Sequence, residues 1–166
     1  MSGLVVEYPV VERRAPVVAP DYAELMMTGN FSFLRGGSHG EELITRAVAL
    51  GLYGMGLADR NSFAGVVKPY VALRELRESN DRDLAALAER FRYVVGTRLC
   101  FADGTPDILA YPIDRAPFAR LCKLLTTGNL RAEKGGCELY FEDLLCRVPP
   151  HKEHTDASSL AVEAVP

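Results

Sequence analysis

Tryptophan is absent from this chain of 166 residues, and histidine nearly so, at 3. His151 and His154 fall in an aperiodic stretch near the C-terminus, and His39 opens an expected helix. With so few imidazoles, neither a Ser-His-Asp set nor a Cys-His pair can be assembled from recognisable positions. The four cysteines, Cys100, Cys122, Cys137 and Cys146, include no CxxC pair. They read as free thiols rather than as a zinc site. No apolar run approaches the ~18 residues of a membrane span. The opening MSGLVVEYPVVERRAP lacks a charged region followed by a long apolar core, so no signal peptide is expected and the cytoplasm is the default compartment. A surplus of positive charge is also missing. The net charge is −3, which excludes a whole-chain field for nucleic acid. Arg35-Gly36-Gly37-Ser38 lacks the Lys-Ser/Thr of a P-loop.

What is present is an ordinary globular composition, 48% hydrophobic and 25% charged. It predicts one domain with tails. Residues 1–20 carry Pro9, Pro16 and Pro20 among valines and read as an extended arm. The chain is organised around Asp21–Gly37. Ala23 and Leu25 alternate with Glu24 as a first strand, followed by a loop with Thr28, Asn30, Ser32 and Arg35. Ser38 and Glu41 have capping-box spacing before a helix over Glu41–Leu50. Tyr53–Ala58 reads as a second strand, parallel to the first. Phe63–Glu78 and Leu84–Arg92 read as helices. Tyr93–Val95 and Leu99–Phe101 form a third strand region around Gly96, and Asp107–Tyr111 a fourth strand. Asp114 caps a helix to about Leu125, ended by Gly128-Asn129. Cys137–Phe141 alternates as a strand, and Glu142–Leu145 begins a helical turn. Residues 147–166 lose periodicity and read as a disordered tail.

The order of elements argues an α/β fold, with loops at strand C-terminal ends as the place for chemistry. The blocks YAEL…NFSFLRGGSHGEEL, GLADRNSFAGVV, VVGTRL, RLCKLLTTGN and RAEKGGC add a resemblance. In order, they resemble the PHP domain at the N-terminus of bacterial C-family DNA polymerase α subunits, most of all the error-prone branch. The resemblance covers roughly Tyr22–Leu145. It implies a distorted (β/α)7 barrel, of which residues 21–146 hold roughly the first four or five strands, because related closed barrels need about 250 residues. A truncated or split piece is the expectation.

Active PHP domains hold divalent ions with His, Asp and Glu at the strand ends, where the ions activate water against a phosphate ester. By the resemblance, the His-x-His after strand one falls on Met26-Met27-Thr28, and the following Asp on Arg35. The Asp-His pair falls on Asp59-Arg60, and the Glu near the third strand on Arg98. Only Asp59 keeps a ligand-type side chain. Arginine stays protonated and cannot ligate a metal. Like charges about 4 Å apart repel by ~4 kcal/mol at an effective dielectric of about 20. A degenerate site with no metal, no cofactor and no catalytic residue is therefore expected.

Three roles stand for Arg35, Arg60 and Arg98. They pair with Asp59, Glu24 or loop carbonyls and fill the cavity; or they bind an anion; or each is solvated separately. The basic cluster Arg120, Lys123, Arg131 and Lys134 is either a solvated surface or a contact to polymerase or DNA. The resemblance implies the PHP portion of an error-prone polymerase that performs damage-induced, translesion DNA synthesis as a nucleotidyltransferase in DNA replication and repair. This portion would be a non-catalytic scaffold against the remainder of the polymerase and accessory mutasome proteins, reaching DNA only through the parent. The alternative is a metal-dependent PHP phosphoesterase.

Overall fold

The computed structural model describes residues 21–147 and 161–164. The expected arm over 1–20 and most of the expected tail lie outside the described residues. The elements run β1 (Ala23–Met27), α1 (Gly40–Ala49), β2 (Gly54–Arg60), α2 (Val67–Arg77), α3 (Arg82–Arg90) and β3 (Arg92–Leu99). They continue with β4 (Ile108–Tyr111), α4 (Arg115–Arg131), α5 (Phe141–Arg147) and β5 (Ala161–Ala164). One mixed sheet takes the order β1-β2-β3-β4-β5. β1, β2 and β3 are parallel; β4 and β5 run antiparallel to their neighbours.

Period-two alternation gives this sheet two unlike faces. Met55 and Leu57 of β2 pack with Ile44, Ala47 and Val48 of α1, Leu73 of α2, and Ala88 and Phe91 at α3, all buried. A second core joins Leu99 and Ala110 to Leu121, Leu124 and Leu125 of α4 and to Leu139. The other face carries small residues, with Ala58, Val94, Leu109 and Tyr111 grouped there. A Cβ on Gly96 would overlap the Tyr111 ring, so that position admits only glycine as the ring lies across the sheet. The Tyr111 hydroxyl donates to the Leu25 carbonyl of β1. The ring thereby spans the concave face from β4 to β1.

Several element boundaries differ from expectation. The α1 cap shifts by one residue: the N-cap is His39, and its amide donates to Glu42 Oε2 at 2.9 Å. α2 begins at Val67 rather than at residue 63, which places Pro69 in the first turn where a missing N–H costs nothing. The third strand region is one continuous strand through Gly96. α4 continues past Gly128-Asn129 to Arg131. Gly128 is buried in close approach to Cys137 and Leu139, so its lack of a side chain serves packing rather than termination. Cys137–Phe141 makes only a bridge between Leu139 and Phe101 rather than a strand. Within the expected tail, Ala161–Ala164 forms β5 on the open edge of β4, where unpaired backbone groups offer a template.

Candidate functional site

The site lies at the C-terminal ends of the three parallel strands. The loop leaving β1 is folded on itself: Asn30 N bonds Ser38 O at 3.0 Å, and Arg35 N and Gly36 N bond Ser32 O at 2.9 and 3.1 Å. Leu34 sits at φ 61 with its side chain in solvent. That conformation is uncommon for a branched residue and marks a loop held by its surroundings.

What holds it is Asp59. This carboxylate is 1% exposed. Its Oδ1 accepts from Gly29 N at 2.8 Å and from Ser32 Oγ at 2.6 Å. Ser32 Oγ in turn accepts from Arg60 N at 2.9 Å. Oδ2 has no hydrogen-bond partner among the described residues and lies against Gly65 and Gly29. Alternation along β2 puts Asp59 on the helix-covered face with Met55 and Leu57, and Arg60 on the opposite face with Ala58.

The arginines converge on that opposite face. A cavity of about 180 Å³ is lined by Thr28, Ser32, Arg35, Ala58, Arg60 and Arg98. Arg60 and Arg98 are register partners across β2 and β3, so two cations stand side by side on one face. Like charges placed directly opposite destabilise a strand pair. The strand ends are fixed by Asn61, at φ 45, whose side chain bonds Cys100 twice: Nδ2 to the carbonyl at 3.0 Å, and Oδ1 from the amide at 2.8 Å. Asparagine tolerates this left-handed backbone better than most residues.

Counter-charge at the cavity is sparse. Arg98 Nη1 stands 3.9 Å from Asp107 Oδ2, and its buried Nε has no partner among the described residues. Among the described residues the Arg35 and Arg60 side chains make no ion pair or hydrogen bond. Glu24, one expected partner, is occupied by the Tyr22 hydroxyl and the Met26 amide. Burial first, and then a hydrogen bond to Asp107, push the Cys100 thiol up to about 11. Cys100 is therefore neutral at pH 7 and supplies no negative charge.

Of the positions expected at a degenerate metal site, Thr28, Arg35, Arg60 and Arg98 are brought together. Met26, 41% exposed, and Asp59 are not among the lining residues. Among the described residues no three of His, Cys, Asp and Glu stand close enough to share a metal ion. The residues present do not fit the metal centre that an active PHP domain implies.

A wider cavity of about 560 Å³ adjoins the first, sharing Ser32 and Arg60. Phe31, Phe33, Asn61 and Lys134 also line it. Sequence reasoning put Ser32 in the loop where chemistry was expected but gave it no partner, and did not place Asn61 or Phe31 at a site. The contacts of Ser32 and Asn61 join residues 27 and 39 positions apart, for which a single sequence carries no local signal. His39 stays exposed at the α1 cap, and His151 and His154 lie outside the described residues. Arg131 of the expected basic cluster is engaged by Asp143 at 2.8 Å and by the Tyr140 ring.

An error-prone DNA polymerase of Rhodopseudomonas palustris (strain BisA53) is 54% identical to this chain over 128 residues, or 77% of it. The chain is a homologue of the error-prone DNA polymerases. The error-prone DNA polymerase of Caulobacter vibrioides is 50% identical over 126 residues, and that of Brucella abortus 42% over 151 residues. The chain spans about a tenth of the length of these curated relatives, 10–13%. No family model matches it. Among solved structures, a protein described as a metal-dependent phosphoesterase from Bifidobacterium adolescentis aligns at TM-score 0.49 and 18% identity, over 68% of this chain and 34% of that one. An amidohydrolase from Chromobacterium violaceum aligns at TM-score 0.48 and 19% identity, over 65% of this chain and 33% of its own. No helix among the described residues is long and apolar enough to cross a membrane.

Proposed function

We propose that this chain is the PHP portion of an error-prone DNA polymerase and acts as a non-catalytic scaffold whose metal site has been lost. Residues 21–146 are the folded unit in this reading. The parent enzyme carries out damage-induced, translesion DNA synthesis in the cytoplasm. This portion packs against the remainder of the polymerase and against accessory mutasome proteins, and meets DNA only through them.

The observation that carries the reading is the arrangement at the strand ends. Arginines 35, 60 and 98 line the concave cavity, while the one surviving carboxylate, Asp59, is turned to the other face and spent on Gly29 and Ser32. Water activation needs oxygen or nitrogen ligands around a cation, and guanidinium groups repel one.

The test has two parts. Elemental analysis of the purified chain is expected to find no stoichiometric Mg, Mn or Zn, and a generic phosphoester assay with each added metal to stay at background. Turnover that rises with bound metal and disappears on chelation would overturn the loss of the site. For the scaffold role, deletion of the matching region from a full-length relative is expected to reduce assembly of the polymerase with its partners. Unchanged assembly and unchanged synthesis would count against it.

A further inference from the structure

We propose that the tip of the loop leaving β1, Phe33-Leu34 with Arg35 beside it, is an anchor. It inserts into an apolar, acid-rimmed socket on the part of the error-prone polymerase that lies outside this chain. The inference rests on the scaffold reading and deepens it by naming the contact.

Exposure and rigidity occur together at this tip. Phe33 is 84% and Leu34 89% exposed, adjacent in sequence, with Phe31 close behind at 47%. A single surface leucine such as Leu130 needs no explanation, but consecutive large apolar residues in solvent mark an interaction site. The backbone beneath them is not loose. Ser32 N donates to Gly29 O at 3.1 Å, Arg35 N to Ser32 O at 2.9 Å, and Asn30 N to Ser38 O at 3.0 Å. Ser32 itself is buried and donates its hydroxyl to Asp59 at 2.6 Å. A Cβ on Gly36 would stand 2.4 Å from Gly29 O, so the loop closes on itself as tightly as bare backbone allows. Leu34 holds φ 61, an unfavourable conformation for a branched side chain. The chain alone gains nothing from that strain, because the side chain it presents lies in solvent. A partner that buries both side chains offsets it, and a loop already pinned loses little freedom on docking.

Size and charge select the occupant. The chain spans 10–13% of the length of its curated relatives, so the greater part of such a polymerase lies outside it. Arg35 follows Leu34, is exposed, and makes no ion pair or hydrogen bond among the described residues. A guanidinium there selects carboxylates at the rim of the socket. Phenylalanine and arginine are also residue types that protein interfaces favour. A second copy fits less well, because a two-fold contact through the tip would bring two Arg35 side chains together. The net charge of −3 disfavours an anionic lipid surface.

The test titrates the immobilised full chain with a curated relative from which the matching region has been deleted, its fold verified by a cooperative melt. The parent chain is expected to bind. F33S/L34S should weaken binding roughly hundredfold or more and R35E roughly tenfold, while L130S, at the comparably exposed Leu130, leaves it unchanged. These side chains lie in solvent, so the melting temperature of the chain should not fall. In a second measurement, residues 21–146 are grafted in place of the matching region of a full-length relative. Amide exchange between Asn30 and Ser38 is expected to slow relative to the chain alone. Equal binding by F33S/L34S, or slowing elsewhere in the graft but not in this loop, overturns the anchor and leaves the scaffold reading standing. No binding, with no slowing anywhere in the graft, overturns both. Self-association of the chain, or binding to phosphatidylserine vesicles, that F33S/L34S abolishes would give the tip another occupant and overturn the anchor.

Discussion

Residues 59 and 60 are neighbours in the chain and opposites in setting. On the helix-covered face of β2, Met55, Leu57 and Asp59 are at or below 1% exposure, and every polar contact Asp59 makes is internal. On the concave face, Ala58 gives way to Arg60, which is exposed and unpaired among the described residues. One face spends its residues on stability. The other carries charge with little counter-charge near it. Asp59 has a structural task of its own, holding the loop that carries Arg35.

This contrast is breakable, and the largest effect should come from the covered face. Leu57→Ala removes a fully buried side chain and is expected to cost about 2–5 kcal/mol in urea denaturation. Asp59→Ala leaves the Gly29 amide and the Ser32 hydroxyl unpaired in a buried place. A loss of roughly 2–4 kcal/mol is expected, with faster proteolysis of the loop between Gly29 and Ser38. A neutral Asp59→Ala would erase the distinction between the faces. Gly96→Ala drives a methyl into the Tyr111 ring and is expected to cost about 1–3 kcal/mol, read as a lower denaturation midpoint. Arg60→Ala should sit within about 0.5 kcal/mol of the parent, or above it, since it removes a cation from beside Arg98. A large loss there would assign Arg60 to the structural face after all.

Much of this was legible from composition and spacing. Strand, loop and helix in the order β1, α1, β2 follow from the alternation at Ala23–Leu25, the periodicity of Leu43, Ile44, Ala47 and Leu50, and the glycine-flanked run to Ala58, although Val48 and not Leu50 proves buried. The convergence of Arg35, Arg60 and Arg98 was also within reach, because all three follow or end parallel strands, and parallel strands place their C-terminal ends together. The separation of Asp59 from Arg60 was legible too, since alternate residues of a strand face opposite ways. Other features had no local signal. Glycine usually ends a helix, yet Gly128 lies inside α4 because Cys137 and Leu139 need its surface. Likewise Tyr111 reads as an ordinary strand aromatic until the glycine opposite it, Gly96, is brought within contact by folding.

The paired bonds between Asn61 and Cys100 make the spacing of the two strand-end cations a fixed gauge. Their roots are set by the backbone, and Asp107 steadies the tip of Arg98. Asn61→Ala should therefore loosen the ends of β2 and β3 together, read as faster amide exchange at Cys100.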